Sequence, residues 1–265
     1  MSTIDAADFS PELRQAFVDM VLCGADDDFL IGHADSEWTG LAPILEEDIA
    51  VSSIAQDEVA HARELYALAA EFVGRSADDV AYGRTPDEYR CAALCVTPDD
   101  FDWSMLIARQ FYYDHFDALR LERWKRCAYR PLADLSQRIA AEERFHVHHV
   151  DDWIRRLGGS KGDARERIEK ALSALWPHAV ALFEEPAGEP LVAAKLCPRP
   201  PKSMFDTYRK VVGDALSCAG LAVPSGGPDP ARLGAGGRRG RHGPQLSTVL
   251  EELAEVYRLE PGATW

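Results

Sequence analysis

Two tetrads in the chain share one pattern, Glu58-Val59-Ala60-His61 and Glu143-Arg144-Phe145-His146. Residues three apart lie on one face of a helix, so each tetrad aims a carboxylate and an imidazole the same way. Both interrupt apolar stripes. Val51, Ile54, Glu58, His61 and Leu65 follow at steps of three and four, as do Leu135, Ile139, Glu143, His146, Val150 and Trp153. That spacing is the inward face of an amphipathic helix. Burying a carboxylate and an imidazole there without partners costs several kcal/mol, so each set requires compensation.

A further carboxylate precedes each tetrad at matched spacing. Asp28 lies 30 residues before Glu58, and Asp114 lies 29 before Glu143. In the first antiparallel hairpin, Asp28 and Glu58 stand roughly 15 and 20 Å from the turn; in the second, Asp114 and Glu143 stand roughly 21 and 18 Å from it, at about 1.5 Å per residue. Members of each pair thus reach similar heights. Asp28 shares a face with Phe17, Val21, Gly24 and Ile31, and Asp114 with Ile107, Phe111, Ala118 and Leu121. Asp26, Asp27 and Asp28 are consecutive, and Asp27 is the alternative first ligand. Four carboxylates and two imidazoles, Asp28, Glu58, His61, Asp114, Glu143 and His146, are the donor set of a carboxylate-bridged dinuclear centre in a four-helix bundle. Two divalent cations would neutralise the acids, and hard oxygen donors with two imidazoles suit iron, or manganese, better than structural zinc. Glu-x-x-His alone is a weak signal, and the competing reading is polar residues on solvated faces. The weight comes from the hairpin spacing and the apolar stripes. Asp57 and Glu142, beside the proposed ligands, read as their hydrogen-bond partners or as solvated groups.

The elements that must position these residues are helical. Ser10-Pro11 is an N-cap and first-turn signature, and a helix is expected from there to about residue 38, closed by Thr39-Gly40-Leu41-Ala42-Pro43. Further helices are expected at about 45–72, 103–129, 131–158 and 163–184, with 75–101 polar and irregular apart from a short helix. No strand pattern stands out. Beyond Pro186 a helix is expected at about 203–217, a Gly/Pro/Arg-rich loop at 224–244 and a short helix at about 246–257. The expectation is an all-α protein: a bundle over 1–185 carrying the dimetal site, with a helical and loop extension over 186–265 packed on the same domain.

Composition narrows the function classes. The 265 residues hold 29 Lys+Arg against 44 Asp+Glu, a formal charge of −15. That excess argues against nucleic acid and anionic membrane surfaces as partners. No segment approaches the ~18 apolar residues of a membrane helix, and no basic segment followed by an apolar stretch marks a secretory leader. The six scattered cysteines do not form a disulfide framework, which makes the reducing cytoplasm the expected location.

Beyond the ligand stripes, the sequence resembles the oxygenase component of bacterial phenylacetyl-CoA epoxidase, a ferritin-like family of phenylacetate degradation. The resemblance covers most of the chain. It runs through Ser36-Glu37-Trp38-Thr39-Gly40-Leu41-Ala42-Pro43, Leu45 to Ala50, Ile107-Ala108-Arg109-Gln110, Trp153 to Gly158, Leu175-Trp176-Pro177 and Leu182-Phe183. The tail, Gly236 to His242 and Pro261 to Trp265, is similar to the end of the family's structural subunit, whose typical members have lost the metal ligands. Yet Gln56-Asp57-Glu58-Val59-Ala60-His61 resembles the catalytic subunit's ligand motif, and Asp114, Glu143 and His146 fall on its ligand positions. Asp28 falls where that subunit has Glu, a shorter carboxylate that would shift or weaken one metal position. The resemblance therefore implies a structural-subunit backbone with a complete ligand set, a self-sufficient diiron protein.

The function expected is a diiron oxidase or monooxygenase that activates O2 to epoxidise or hydroxylate an organic substrate, by resemblance an aromatic acyl-CoA. No G-x-G-x-x-G fingerprint follows a strand, so electrons would come from a separate reductase. A homo-oligomer or a homologous subunit is the expected assembly. Arg120, Arg123, Lys125, Arg126 and Arg130, with Arg238, Arg239 and Arg241, are candidate phosphate contacts, though the first cluster also reads as a solvated face complementing a helix end. Tyr112 and Tyr113 read as packing residues beside Asp114. His33, His115, His148 and His149 lie off the ligand stripes. The rival from another class is a non-catalytic structural partner subunit of an epoxidase-like complex. A metal-storage protein ranks last, because of the long extension past Pro186.

Overall fold

A computed structural model describes residues 4–96, 101–184, 189–197, 201–227 and 236–260. Four long helices form two antiparallel hairpins: α1 (Pro11–Ser36) with α2 (Leu45–Val73), and α4 (Trp103–Trp124) with α5 (Arg130–Gly159). The short α3 (Ala77–Tyr82) follows α2, and α6 (Asp163–Ala181) packs along α4. The remaining helices are α7 (Glu189–Ala193), α8 (Phe205–Cys218), α9 (Pro244–Leu253) and α10 (Glu255–Leu259). Among the described residues there is no strand. The fold is an all-α, ferritin-like bundle with additional C-terminal helices.

Local chemistry sets the ends. Ser10 accepts a hydrogen bond from the Leu13 amide, with Pro11 opening the first turn of α1. Gly74, in the left-handed region at φ 67°, closes α2. A Cβ at Gly32 would lie 2.8 Å from Val59 and 3.0 Å from the Ala55 carbonyl, so this glycine lets α1 and α2 approach closely.

The apolar core divides where the polar residues lie. Along α1, Phe17, Val21 and Ala25 belong to one apolar cluster and Ile31 to the other, with Asp28 between them. Along α4 the change falls between Phe116 and Leu121, around Asp117 and Arg120 and about one turn beyond Asp114. Along α5 it falls between Ile139 and Val150, around Glu143 and His146. A polar layer therefore crosses the bundle at one height, walled by hydrophobic packing above and below.

Three expectations change. α4 stops at Trp124 rather than near 129, because the chain turns there and the Ala128 amide donates to the Leu196 carbonyl at 2.9 Å. Segment 75–101 is not simply polar: Tyr89, Cys91, Ala92, Leu94 and Cys95 are buried in the core. The closing helix is two short helices. Residues beyond Pro186 share the core, with Tyr208 donating to the Tyr112 carbonyl at 3.0 Å and Leu246 fully buried. Part of the expected 224–244 loop and the final tail motif lie outside the described residues. No described helix is long and apolar enough to cross a membrane.

Candidate metal centre

All six sequence-predicted ligands face the polar layer and are buried, at most 3% exposed. α1 supplies Asp28, α2 supplies Glu58 and His61, α4 supplies Asp114, and α5 supplies Glu143 and His146. The structure gathers five of them into two overlapping sets. Donor atoms of Asp28, Glu58 and His61 lie within 4.8 Å of one another, and so do those of Glu58, Glu143 and His146. Glu58 belongs to both and sits where a bridging carboxylate would. Asp114 falls outside both sets. Its side chain is one methylene shorter than Glu, although its charge still interacts with Glu143, Glu58 and His146.

The two imidazoles are held by crossed hydrogen bonds. His61 Nε2 donates to Glu142 Oε2 at 2.7 Å, and His146 Nε2 donates to Asp57 Oδ2 at 3.3 Å. Each histidine is therefore oriented by the residue beside the other tetrad's glutamate. Both Nδ1 atoms then face inward: that of His61 has no hydrogen-bond partner, and that of His146 lies 3.0 Å from Glu143 Oε2 and 3.4 Å from Glu58 Oε1. Carboxylate–histidine pairs of this kind fix the tautomer and raise the basicity of a metal ligand.

Electrostatics show a centre short of positive charge. Burial, reinforced by Glu143 and Asp28, pushes the Glu58 carboxyl up to about 7. Burial also pushes the carboxyls of Asp114 and Asp117 well above the usual range. For His146, burial opposes the charged form, but Asp57, Glu143 and Glu58 outweigh it and raise its pKa. Both oxygens of Glu58 and of Asp114, one of Glu143 and one of Asp28 are buried without a hydrogen-bond donor. Five acids lie here, Asp28, Glu58, Asp114, Asp117 and Glu143, with one permanent cation among them, Arg120. The other buried aspartates are self-compensated: Asp26 by Arg84, Asp27 by Arg238 and Asp35 by Arg109. With all five acids ionised and both histidines neutral, the surplus would be four negative charges, the charge of two divalent cations. The donors thus fit a pair of hard divalent ions in number, chemistry and charge.

Asp27 points elsewhere. Its two oxygens accept from both terminal nitrogens of Arg238, at 2.8 and 2.7 Å, and Oδ1 also accepts from the Ala92 amide at 2.8 Å. Asp28 is the aspartate that faces Glu58 and His61. Sequence reasoning missed one group and misassigned another. Asp117 lies three residues beyond Asp114 on the same face of α4, a spacing that could have exposed it. Arg120 is a correction: it is 5% exposed, pairs with Asp28 and Asp117, and is no part of a solvated phosphate-binding face. Arg123 and Arg238 are likewise buried. Tyr113 donates to Asp28 Oδ1, whereas Tyr112 donates to the Leu172 carbonyl and packs. His115 pairs with Asp151 and His149 with Glu47, away from the ligand sets. A cleft of about 320 Å³ between α4 and α5 reaches Glu143 from outside, with Glu122, Lys125 and Arg144 on its lining.

Fold and site together define a ferritin-like helical bundle with a buried carboxylate–imidazole centre. The chain belongs to the family described as phenylacetic acid catabolic protein, whose model matches residues 1–265. It is similar to a subunit of the 1,2-phenylacetyl-CoA epoxidase of Escherichia coli (strain K12), at 25% identity over 241 residues, covering 91% of this chain and 95% of the relative.

Proposed function

We propose that the centre holds two iron ions, with manganese the alternative, and that the protein is a diiron oxidase or monooxygenase. The observation that carries this reading is the pair of donor sets joined through Glu58, with unpartnered oxygens and inward-facing imidazole nitrogens in a layer of five buried acids and one permanent cation among the described residues. Iron bound there supplies dioxygen reduction coupled to substrate oxidation. The chain's own residues do the rest. Asp57 and Glu142 hold His146 and His61 with Nδ1 inward. Tyr113 and Arg120 hold Asp28. The apolar walls on either side of the layer keep bulk water out. The α4–α5 cleft is the route by which an organic substrate reaches Glu143, and Lys125 and Arg144 on its lining suit the phosphates of an acyl-CoA. Family membership and the name of the E. coli relative support phenylacetyl-CoA chemistry as the substrate class. A separate reductase supplies electrons. Residues 1–185 carry the centre, and 186–265 brace it through Arg238 and Tyr208. Anaerobic Fe(II) titration with metal analysis is expected to give two ions per chain, reduced in Glu58→Ala. One ion or none at saturation, or an unchanged stoichiometry in Glu58→Ala, refutes the diiron assignment.

A second reading is favoured by the relative's being named as one component of a larger epoxidase and by Arg120 already sharing the charge of Asp28: a non-catalytic partner that stabilises a homologous catalytic chain. Purified protein that binds no iron and co-purifies with a ligand-bearing homologue would establish it.

A further inference from the structure

The two halves of the centre are chemically unequal. Around Glu143, His146 and Asp114, no Arg or Lys lies within ion-pair distance of a carboxylate among the described residues. Around Asp28 the situation differs. Its Oδ1 accepts from Arg120 Nη2 at 2.8 Å and from the Tyr113 hydroxyl, while its Oδ2 has no donor. Arg120 also pairs with Asp117 and stands over the Trp124 ring at 4.9 Å. Gly24, one turn before Asp28, makes room for this arrangement: a Cβ there would lie 2.5 Å from Trp124 and 3.0 Å from Arg120 Nη1. The guanidinium is therefore built in. It cannot release its charge as a lysine or histidine can, so any cation arriving at Asp28 meets a fixed positive neighbour.

Resting on the dimetal reading above, we propose that Arg120 is a positioning residue that makes the two ion positions unequal and sets their order of filling. The first divalent ion takes the position of Glu58, Glu143 and His146. The second enters at Asp28, Glu58 and His61, and Asp28 meets it through Oδ2 alone, because Oδ1 is committed to Arg120 and Tyr113. Asp28 is thereby a one-oxygen ligand rather than a chelating one.

The test is anaerobic equilibrium dialysis of the full-length, chelator-treated protein with Fe(II), paralleled by Mn(II) and its electron paramagnetic resonance spectrum. Wild type is expected to fill in two steps at least tenfold apart, with an isolated-ion Mn(II) spectrum at one equivalent and a coupled-pair spectrum only near two. Asp28→Asn keeps the Arg120–Asp117 pair and is expected to lose the weak step while leaving the tight one unchanged. Glu143→Gln is expected to lose the tight step. Arg120→Lys retains the charge and is expected to keep two separated steps, whereas the charge-balanced Asp117→Asn/Arg120→Met chain is expected to bring them together. Two equal steps in wild type, loss of the tight step in Asp28→Asn, or an unchanged separation in the double variant overturns the role of Arg120 and leaves the dimetal reading intact. No ion bound in any variant overturns both.

Discussion

On the dimetal reading, metal ions and protons would compete for the same carboxylates, and Glu58 allows that competition to be measured. Its carboxyl sits at about 7 in the metal-free chain, chiefly through burial, against 4.5 for an unperturbed glutamate. A folded-state pKa above the unfolded value contributes stability that is fully present below pH 4.5 and lost as pH rises through about 7. At 1.36 kcal/mol per pKa unit, ionised Glu58 costs the metal-free fold about 3 kcal/mol by pH 8. Asp114 and Asp117, also raised, act in the same direction. Chelator-treated wild type is therefore expected to unfold more readily in urea at pH 8 than at pH 5.5. Glu58→Gln, which keeps the shape and removes the charge, is expected to be more stable than wild type at pH 8, by about 3 kcal/mol or roughly 6–12 °C in melting temperature. Saturating Fe(II) or Mn(II) then reverses the ranking: each of two ions at a hundredfold excess over its Kd adds about 2.7 kcal/mol to wild type, about 5 kcal/mol together, and much less to the variant lacking its shared ligand. Circular dichroism of urea titrations at the two pH values, with and without metal, reads all of this. A pH-independent midpoint in the metal-free protein, or a Glu58→Gln chain less stable than wild type at pH 8, would refute the premise that unneutralised charge dominates this layer.

Asp57→Ala and Glu142→Ala, each releasing one imidazole from its partner, should weaken ion binding about 10–100-fold without changing stoichiometry at saturation, as dialysis would show. Arg238→Leu leaves Asp27 buried without its bidentate partner and should cost about 3–5 kcal/mol; a thermal melt within about a degree of wild type would contradict that. Gly24→Ala forces a methyl to within 2.5 Å of Trp124, so about 1–3 kcal/mol should be lost to overpacking, visible in the same melts.

Much of the architecture was legible because the long helices carry their own periodicity. Val51 to Leu65 and Leu135 to Val150 declare which face turns inward, and Ser10-Pro11 marks a helix start, with no help from tertiary structure. What local sequence cannot carry is the identity of distant partners. The end of α4 depends on Leu196, 68 residues beyond Ala128. The burial of Tyr89, Cys91 and Ala92 follows from Arg84 and the Ala92 amide reaching Asp26 and Asp27. The arginines of α4 read as a solvated cluster because a run of basic residues near a helix end is ordinarily that; only the acids facing them from α1 explain why Arg120 lies inside. Hairpin spacing pointed to the six donors that the fold buries in one layer, and face and spacing preferred Asp28 while leaving Asp27 as the alternative.

Three consecutive acids on a buried helix resolve that ambiguity. Successive side chains on α1 point about 100° apart, so Asp26, Asp27 and Asp28 address three different directions and need three different partners. The fold supplies them from three separate places: Arg84 after α3, Arg238 from the C-terminal region and Arg120 from α4. Each pair opposes rotation of α1 about its axis, since turning the helix would bring one aspartate toward the wrong cation and strip another of its own. Arg238 thus acts on the centre without touching it: by holding Asp27 away, it leaves Asp28 as the aspartate that meets Glu58 and His61. The C-terminal region belongs to the geometry of the site, because the direction of a side chain on α1 is decided 211 residues further along the chain.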